Sequence, residues 1–494
     1  MLYGLHRTDT THLARTYDPE RHTPDWPGYL AYLGTRVPDL YRFFYRRLPV
    51  LIPEEAREKH TYITGQSGAG KSELLKVLLH SYVRSSYVRT HAPIGLVLID
   101  PHGDLAEEVA RFPEVATSGR LIFIQPGLST EVTPTINPFD LADRSELSVH
   151  VMAEQLSGVF DQLMCQAGHR GLTGNMGALL VPCISTLLLR PGSSIRDLQT
   201  FMDDRRNADL IAAGSMSALP IQRDFFRYKF ADKQFDSTKA ALFTRIQSLL
   251  NSPVLYRLLV GRSTLDLEAA VNAGKIIIFS LPKGIIGGET SPAFGSFVLA
   301  LLQGIAIRRE KRDEARLPVH VFLDECQNFL TPTVTTILTE SRKFGLHLTL
   351  AQQTFLQGME GELAAAVAGN TAIKFCGMND VKTLRPMDER LSVGLDTLGR
   401  LRVGEFFGKV SGSTPAFKLH VPRVREQIDT AAWCEVKAAQ LATYYRPTAE
   451  KPPEAHSGAV DERSGSEWAE MPLGPDAAPG DVRLPPKPQR LTFI

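Results

Sequence analysis

The residues with the clearest chemistry form a glycine-rich loop between a predicted strand and a predicted helix. In the sequence HTYITGQSGAGKSELLKVLLHSYV, the spacing Gly65-x-x-x-x-Gly70-Lys71-Ser72 stands where the strand ends and the helix begins. Glycines allow such a loop to curl around phosphate groups, so that its amide N–H groups and the positive end of the helix point at them. A lysine adds a mobile positive charge for the β- and γ-phosphates, and the serine hydroxyl is a ligand for Mg²⁺. The loop therefore predicts ATP and Mg²⁺ as cofactors, and its candidate binding residues are Gly65, Gln66, Ser67, Gly68, Ala69, Gly70, Lys71 and Ser72.

A second motif is an acidic pair that follows the apolar run in PVHVFLDECQNF. Asp324, at the end of this predicted strand, can reach the Mg²⁺ shell from across a sheet, as a Walker B acid does. Glu325 is then placed to polarise the attacking water as a general base. Alternatively, the pair ends the strand and only faces solvent. The long separation from the glycine-rich loop leaves room for other strands between the two motifs, and we expect the Glu325 strand to lie beside the loop strand.

Two further strand ends carry polar side chains. The run LHLTLAQQ ends in two glutamines, and an amide there can sense the γ-phosphate, unless it is only a polar strand end. Strand twist decides which of Gln352 and Gln353 faces the nucleotide, and the sequence favours Gln352 slightly. In LVLIDPHGD, Asp100 follows a strand and is assigned to the site edge, because ligands bind at the carboxyl ends of parallel strands. His102 is a further candidate for a catalytic group, but a turn leading into a helix explains a histidine at this position equally well.

Apolar strand-like runs alternate with helical stretches along most of the chain. This pattern predicts an α/β fold with a mostly parallel sheet covered by helices. Several runs are almost continuously hydrophobic, as expected for strands buried on both faces. The predicted strands are His60–Thr64, Gly95–Asp100, Leu121–Gln125, Lys275–Leu281, Val319–Asp324, Leu346–Ala351 and Ala372–Cys376.

The strand pattern stops between residues 140 and 271, where the sequence reads as helical. We expect this segment to be an all-α domain inserted into a nucleotide-binding domain made of residues 51–139 and 272–445. Residues 1–50 form an N-terminal segment, whose sequence YRFFYRRL either touches DNA or a neighbouring subunit or packs its aromatic rings internally. Residues 446–494 are rich in proline, glycine and acidic residues, which predicts a disordered tail.

The overall composition excludes several classes of protein. The 494 residues carry a formal net charge of +1, so no general basic excess indicates nucleic acid, although a ring can confine positive charge to its pore. Five scattered cysteines without a CxxC pair fit a reducing cytoplasm better than a disulfide framework or a zinc site. The N-terminus lacks the apolar core of a signal peptide. The uncharged run 290–307 has the length of a membrane span, but its serine, glycine, proline and glutamine residues favour a helix buried against the sheet.

Seven short motifs carry a family resemblance, and all of them lie between Thr61 and Phe407. In sequence and in order they resemble the HerA/FtsK superfamily of P-loop ATPases, and within it the TraG/TraD-like type IV secretion coupling proteins. The resemblance implies a RecA-like domain, a hexamer that threads DNA through a central channel, and ATP sites that are each completed by a neighbouring subunit. The motifs are ITGQSGAGKS, LVLIDPHGD, TINPFD, IIIFSLPKG, VFLDECQNF, ESRKFGLHLTLAQQ and GNTAIKF.

An ATP site completed by a neighbour needs a cation that faces the charge developing on the γ-phosphate. Arg342 in ESRKFG matches the position at which HerA-like proteins present such a residue. Lys374 in GNTAIKF matches the position of an arginine in FtsK-like motors, but a lysine cannot make the planar bidentate contact. The resemblance therefore assigns the trans contact to Arg342 ahead of Lys374, with a surface salt bridge as the alternative. The candidate catalytic residues are Lys71, Glu325, Arg342, Gln352, Gln353 and Lys374, and the candidate metal ligands are Ser72 and Asp324.

Three functions are compatible with these residues. The leading interpretation is an ATP-driven pump for single- or double-stranded DNA in conjugative transfer, with a relaxase or secretion-channel proteins as partners. The second is a HerA-like helicase or translocase that works with a nuclease in DNA processing or antiphage defence, and the third is a secretion ATPase that acts on protein. Coupling proteins begin with transmembrane helices and this sequence shows none, so we expect a cytoplasmic bacterial protein that reaches the inner membrane through a partner.

Overall fold

The computed structural model describes most of the chain in ten segments. The sequence YRFFYRRL and the residues from 449 onward lie outside these segments, so the predictions made for them stay predictions. The described residues are 2–4, 49–50, 52–88, 94–141, 143–166, 173–309, 317–355, 358–359, 361–411 and 415–448.

These segments contain strands and helices in alternation. In chain order the strands are β1 (Leu2–Gly4), β2 (Pro49–Val50), β3 (His60–Thr64), β4 (Gly95–Asp100), β5 (Leu121–Ile124), β6 (Val132–Thr133), β7 (Ile276–Ser280), β8 (Val319–Leu323), β9 (Leu346–Gln352), β10 (Thr371–Gly377), β11 (Glu405–Val410), β12 (Phe417–His420) and β13 (Arg446–Pro447). The helices are α1 (Glu54–Arg57), α2 (Lys71–Val88), α3 (Asp104–Ala110), α4 (Pro113–Ala116), α5 (Glu146–Gln166), α6 (Gly174–Leu189), α7 (Ile195–Phe201), α8 (Ala208–Gly214), α9 (Pro220–Asp224), α10 (Asp236–Leu250), α11 (Pro253–Leu259), α12 (Leu267–Asn272), α13 (Lys283–Ile286), α14 (Thr290–Arg308), α15 (Pro332–Glu340), α16 (Gly361–Asn370), α17 (Val381–Leu391), α18 (Leu395–Leu398) and α19 (Thr430–Tyr444). Short 3₁₀ turns follow β8 and α15, at Cys326–Asn328 and Ser341–Phe344.

The main sheet has eleven strands in the order β2-β1-β12-β11-β10-β3-β9-β8-β4-β7-β5. From β10 to β5 every neighbouring pair is parallel, whereas β11, β12, β1 and β2 add antiparallel strands at one edge. All seven predicted strands are present within one residue at each end, which confirms the α/β prediction. The antiparallel strands escaped the sequence pattern because β1, β2 and β12 are short and partly exposed residues interrupt the apolar run of β11.

The predicted neighbour of the loop strand was wrong. Strand β9, which ends in the two glutamines, pairs with β3 on one side and with β8 on the other. The Glu325 strand therefore lies one strand away from the loop strand. Pairing between distant segments decides the order of strands in the sheet. The number of residues between two motifs does not determine that order.

Two hydrophobic cores cover the two faces of the parallel strands. In β4, Leu96 and Leu98 belong to the core formed with α2 and α3, whereas Val97 and Ile99 belong to the larger core formed with α14 and the helices before β7. Successive side chains of a strand point to opposite faces, so a strand covered on both sides needs an unbroken apolar run. This burial is the physical reason for the continuous hydrophobic stretches in the sequence.

Helices and turns, without a strand, occupy the described residues between Pro134 and Lys275. Asn137 of the TINPFD motif joins the two ends of this region, since its Nδ2 donates to the backbone oxygens of Ser193 (2.8 Å) and Gly261 (2.9 Å). These observations support our proposal that residues 140–271 are an all-α insertion. The folded body extends past the predicted boundary of the tail, because Arg446–Pro447 pairs with β6 as strand β13.

Helix α14 corresponds to the long uncharged run of the sequence. Among the described residues it is the helix whose length and apolar character would allow a membrane span, but 78% of that apolar window is buried inside the fold. Phe294 and Val298 are fully buried in the larger core. The prediction of a helix buried against the sheet is confirmed.

Candidate functional site

The glycine-rich loop leaves the carboxyl end of β3 and ends at the first residue of α2. Neighbouring strands hold it, because Gly65 N donates to Gln352 O (3.3 Å) and Gln66 N donates to Met378 O (2.9 Å). At Gly70, φ is +102°, and a Cβ there would lie 3.3 Å from the Cα of Gly404. Both the backbone conformation and the close approach therefore require glycine at this position.

Lys71, at the end of the loop, is 6% exposed. Its Nζ donates to Gly65 O (2.8 Å) and lies 3.7 Å from the Glu325 carboxylate. Ser72, the next residue, is exposed and lines the same cleft, which has a volume of about 840 Å³. The loop lysine and the Glu325 carboxylate thus face one cleft, as the motifs predicted.

Asp100 and Asp324 end two adjacent strands of the parallel sheet, because β4 pairs with β8. Burial raises the pKa of the Asp324 carboxyl to about 7, and the negative charges of Asp100 and Glu325 act in the same direction. The backbone N–H of Glu325 and the charge of Lys71 offset only part of this rise. Three carboxyl groups therefore share a buried edge with one lysine, which leaves an excess of negative charge.

Asp100 also organises the backbone that follows it. It is fully buried, and its two carboxylate oxygens accept hydrogen bonds from His102 N (2.8 Å) and Ala106 N (2.9 Å). Burial raises the pKa of Asp100, while these N–H donors lower it. Asp100 thus holds the first turn of α3 at the site edge, and exposed His102 lies on the turn between them.

Glu325 has an unusual backbone conformation, with φ of +45°. Non-glycine residues adopt this region at a cost, and such residues concentrate at functional sites. Asn328 stabilises the conformation by donating to Glu325 O from its backbone N (3.0 Å) and from Nδ2 (2.8 Å). The side chain is held as well, since Gln327 Nε2 donates to Oε2 (2.7 Å). The tight turn after β8 aims the carboxylate at Lys71.

The two glutamines of β9 point in different directions. Gln353 Nε2 donates to Glu325 Oε1 (3.1 Å). Gln352 is fully buried, where its Oε1 accepts from Cys326 Sγ (3.3 Å) and its Nε2 donates to Thr354 O. Alternate side chains of a strand face opposite sides, so Gln353, and not the slightly favoured Gln352, lies on the Glu325 side.

The two candidate trans residues lie away from this cleft. Lys374 is in the middle of β10, 9% exposed, and its Nζ donates to Thr371 O within the same strand. Burial lowers the pKa of Lys374 to about 8, and the charges of Arg390 and Lys409 lower it further. Arg342 lies in the 3₁₀ turn before β9, and its side chain falls outside the described part of the chain. The Lys374 ammonium and the backbone of Arg342 thus lie away from the loop of their own chain.

The sequence motifs do not include one set of residues that line the cleft. Val403 and Gly404 precede β11, and a run of residues follows β12 on the same side of the cleft. Their only sequence signal is the alternation of apolar and basic residues in VPRVRE after a short strand. The missed lining residues are Val403, Gly404, His420, Val421, Pro422, Arg423 and Arg425.

The donor set at the cleft fits a magnesium ion. Mg²⁺ prefers oxygen ligands and binds proteins through one or two carboxylates together with substrate phosphates. The Ser72 hydroxyl and the Asp324 carboxylate are such ligands. Burial and the neighbouring carboxylates raise the pKa of Asp324, and a cation bound there would stabilise its ionised form. These two residues are the ones that would hold the ion.

Two family descriptions match the chain. "Helicase HerA, central domain" matches residues 46–276, and "TraM recognition site of TraD and TraG" matches residues 318–392. The first range contains the glycine-rich loop and the second contains the acidic pair, and the structure brings the two together in one cleft. No relative among curated protein sequences matches the chain.

Among solved structures, the bacterial conjugative coupling protein TrwBdeltaN70 is similar to this chain with a TM-score of 0.57 at 16% identity. The alignment covers 76% of this chain and 87% of that one. The plasmid coupling protein TrwB in complex with ADP and Mg²⁺ gives a TM-score of 0.56 at 17% identity, with 78% and 90% covered. At such identities the likeness shows the fold, a mostly parallel P-loop sheet. Residues 46–276 thus resemble the central domain of HerA and residues 318–392 resemble a segment of TraD and TraG, on the fold of a P-loop ATPase.

Proposed function

We propose that this chain is an ATP-driven DNA translocase that works as a ring oligomer, in the manner of a coupling protein for conjugative DNA transfer. The observation that carries the proposal is the convergence of Lys71 and Glu325 on one cleft at the carboxyl edge of the sheet, with the buried Asp324 carboxyl close to both. These residues come from two motifs that are far apart in sequence. Each supplies one group that phosphoryl transfer to water needs.

In this proposal each residue has a separate role. Lys71 binds the β- and γ-phosphates, and its present contacts with Gly65 O and Glu325 keep the ammonium group at the mouth of the loop. Glu325 accepts a proton from the attacking water, held in position by Gln327 and Gln353. Ser72 and Asp324 would hold Mg²⁺, which when bound supplies positive charge beside the phosphates.

Gln353 is proposed as the residue that reports the nucleotide state. Its side chain binds the Glu325 carboxylate, and its backbone oxygen accepts from Thr64 Oγ1 (3.3 Å) and Asn379 Nδ2 (2.7 Å). Any movement of Glu325 against the nucleotide therefore acts on the ends of β9, β3 and β10 together. This coupling is what a sensor of hydrolysis needs.

Position on the sheet supports Arg342 as the trans residue of a ring. Arg342 precedes β9, so its backbone lies at the amino edge, whereas the loop lies at the carboxyl edge. The seven residues of β9 span roughly 20 Å at 3.3 Å per residue. An arginine side chain is much shorter than that, so Arg342 cannot serve the site of its own chain, and a neighbouring subunit is the site left for it in a ring. Buried Lys374, bonded to its own strand, is the weaker candidate.

The partners depend on which DNA process the motor serves. The match to the TraD and TraG description favours conjugative transfer, with a relaxase or secretion-channel proteins as partners and a location in the bacterial cytoplasm at the inner membrane. A second candidate is a HerA-like helicase or translocase paired with a nuclease, and the match of residues 46–276 to the HerA central domain favours it. Single- and double-stranded DNA are both open as substrates.

The test is ATP hydrolysis measured against protein concentration, with and without single- and double-stranded DNA. We expect the rate per subunit to rise as the ring assembles and to rise again with DNA, with a salt dependence that reflects phosphate contacts. Lys71→Ala is the inactive control. An oligomer whose ATPase ignores every DNA tested would instead indicate a secretion ATPase acting on protein.

A mixing experiment tests the trans contact. Arg342→Ala and Lys71→Ala subunits are each expected to be inactive alone. Mixed rings should regain turnover at those interfaces where an intact Arg342 meets an intact Lys71. Lys374→Ala serves as the matched comparison, and rescue by that variant in place of Arg342→Ala would reassign the trans role.

A further inference from the structure

The cleft beside the glycine-rich loop has a second wall that none of the sequence motifs includes. One wall consists of the loop and Glu325, and the opposite wall consists of Val403, Gly404 and the segment from His420 to Arg425. The second wall is built from the antiparallel edge of the sheet, at the start of β11 and the end of β12. Its side chains have no role in the proposed hydrolysis.

Backbone contacts fix this wall against the loop. Gly404 N donates to Ala69 O (2.9 Å), and Val421 N donates to Gly404 O (2.8 Å). Gly70 and Gly404 approach so closely that a Cβ on Gly70 would lie 3.3 Å from the Gly404 Cα. The spacing between the phosphate loop and the second wall is therefore built into the fold.

Two arginines of the wall face the cleft. Arg423 and Arg425 are exposed and line it, while Val424 between them packs against the core under α2 and α3. Among the described residues neither guanidinium has a hydrogen-bond or ion-pair partner. Two unpaired arginines held on the same side of a chain are well suited to phosphate groups, because guanidinium forks match phosphate oxygens.

An apolar side chain and an imidazole complete the wall. Val403 is 61% exposed and lines the cleft. His420 Nδ1 is buried and has no hydrogen-bond partner among the described residues. Ligand pockets commonly combine apolar surface with a few polar groups that fix orientation. The wall therefore offers an apolar contact for a flat base and two cations for phosphates.

The charge balance of the cleft also favours phosphate binding by these two arginines. Asp324 and Glu325 lie near Lys71 at the carboxyl edge, with Asp100 beside Asp324, and a nucleotide adds several negative charges. A polyphosphate bound there needs positive charge beyond one lysine, because like charges repel strongly at a partly buried site. Arg423 and Arg425 are the unpaired cations that line the same cleft.

We propose that Arg423 and Arg425 bind the α- and β-phosphates of the nucleotide and that Val403 packs against its base. The second wall is thus a subsite for the nucleoside diphosphate part of the ligand, while Lys71 spans the β- and γ-phosphates and Glu325 serves the water that attacks the γ-phosphate. This inference rests on the proposed ATPase function and adds the residues that would determine nucleotide affinity.

The experiment measures binding of ADP and of pyrophosphate to the full chain by titration calorimetry. The double variant Arg423→Ala/Arg425→Ala is expected to raise the Kd of both ligands about tenfold or more. Val403→Ser is expected to raise the Kd of ADP and leave that of pyrophosphate unchanged. Arg400→Ala removes an exposed arginine outside the cleft and should change neither value. At saturating ATP the arginine variant should keep kcat within about threefold while KM rises, because it leaves the general base in place.

Unchanged ADP affinity in the double variant, with ADP binding still lost in Lys71→Ala, would overturn this inference and leave the ATPase proposal intact. A wild-type chain that neither binds ADP nor hydrolyses ATP would overturn the proposed function itself. If the alanine variant has a lower Tm, Arg423→Lys/Arg425→Lys decides the matter. This pair keeps the charges, and it must restore most of the ADP affinity for the inference to stand.

Discussion

Both edges of the parallel sheet bury titratable side chains, but the surroundings of these side chains differ between the two edges. At the carboxyl edge, Asp324 and Glu325 lie beside an open cleft with an excess of negative charge. At the amino edge, His60, His320 and His347 lie on adjacent strands and are at most 4% exposed. The same strands therefore end in a charged, accessible site on one side and in a closed cluster of rings on the other.

Ring packing encloses the histidines at the amino edge. The His320 ring lies 4.3 Å from the Tyr82 ring and 5.0 Å from the His347 ring, and Arg57 stacks over Tyr82 at 4.9 Å. His60 Nδ1 accepts from Leu348 N (2.9 Å). Burial holds the pKa of His320 well below its ordinary value, with the charges of His347, Arg57 and His60 acting in the same direction. A buried titratable group is thus no sign of function by itself, and access to a cleft and backbone strain distinguish the carboxyl edge.

The largest expected effect concerns the strained carboxylate. Glu325→Gln should lower steady-state ATP turnover about 100-fold or more, because it removes the general base and keeps the phosphate-binding loop. ATP binding, measured by calorimetry, should remain. Glu340→Gln, which removes an exposed carboxylate just before the amino edge, is the matched control and should leave turnover unchanged. A Glu325→Gln rate within about threefold of wild type would remove that residue from the mechanism.

Asp324→Asn should stabilise the free protein at pH 8. The folded-state pKa of about 7 lies above the unfolded value of 3.8, so this group stabilises the fold at low pH and loses that contribution as pH rises through 7. The variant should therefore gain roughly 2–4 kcal/mol over wild type at pH 8 and much less at pH 5, in denaturant unfolding without nucleotide or Mg²⁺. The exposed Glu362→Gln is the control. A gain that is equal at both pH values would contradict the raised pKa.

Substitution of the two glutamines of β9 should have different effects, one on activity and the other on stability. Gln353→Ala removes the contact with Glu325 and should lower kcat about tenfold with little change in Tm. Gln352→Ala empties a buried position and should destabilise the fold by about 2 kcal/mol, which lowers Tm. Thermal melts and ATPase rates on the two variants decide the matter, and the reverse pattern would return the sensor role to Gln352.

The smallest effect belongs to the amino edge and has the opposite pH dependence. His320 has a folded-state pKa well below its unfolded value near 6.5, so its stabilising contribution is complete above pH 6.5 and is lost as pH falls. His320→Phe should reduce the loss of stability below pH 6.5 by about 1 kcal/mol per pH unit, with ATPase retained at pH 8. His150→Phe, at an exposed histidine, should follow wild type. Parallel pH profiles for His320→Phe and wild type would show that His320 carries no part of the acid sensitivity.

Local requirements made much of this protein predictable from its sequence. The glycine-rich loop needs glycine at Gly70 because of its positive φ, and the helix that follows begins at Lys71, so both can be read directly from neighbouring residues. Strands covered on both faces need continuous apolar runs, which is why all seven parallel strands could be located within one residue at each end. The acidic pair was also recognisable, because it ends such a run.

Tertiary structure decided the features that depend on distant segments. Strand β9 lies between β3 and β8 through pairing that no local pattern reports, and this pairing selects Gln353 rather than Gln352 to meet Glu325. Partly exposed residues interrupt the apolar runs of β11 and β12, so only the tertiary structure shows that Gly404 and the second wall lie against the loop. The raised pKa of Asp324 likewise arises from carboxyl groups that the sheet assembles. The sequence by itself determined which groups do chemistry, and the sheet determined which of them meet, because strand order and burial are properties of the folded chain.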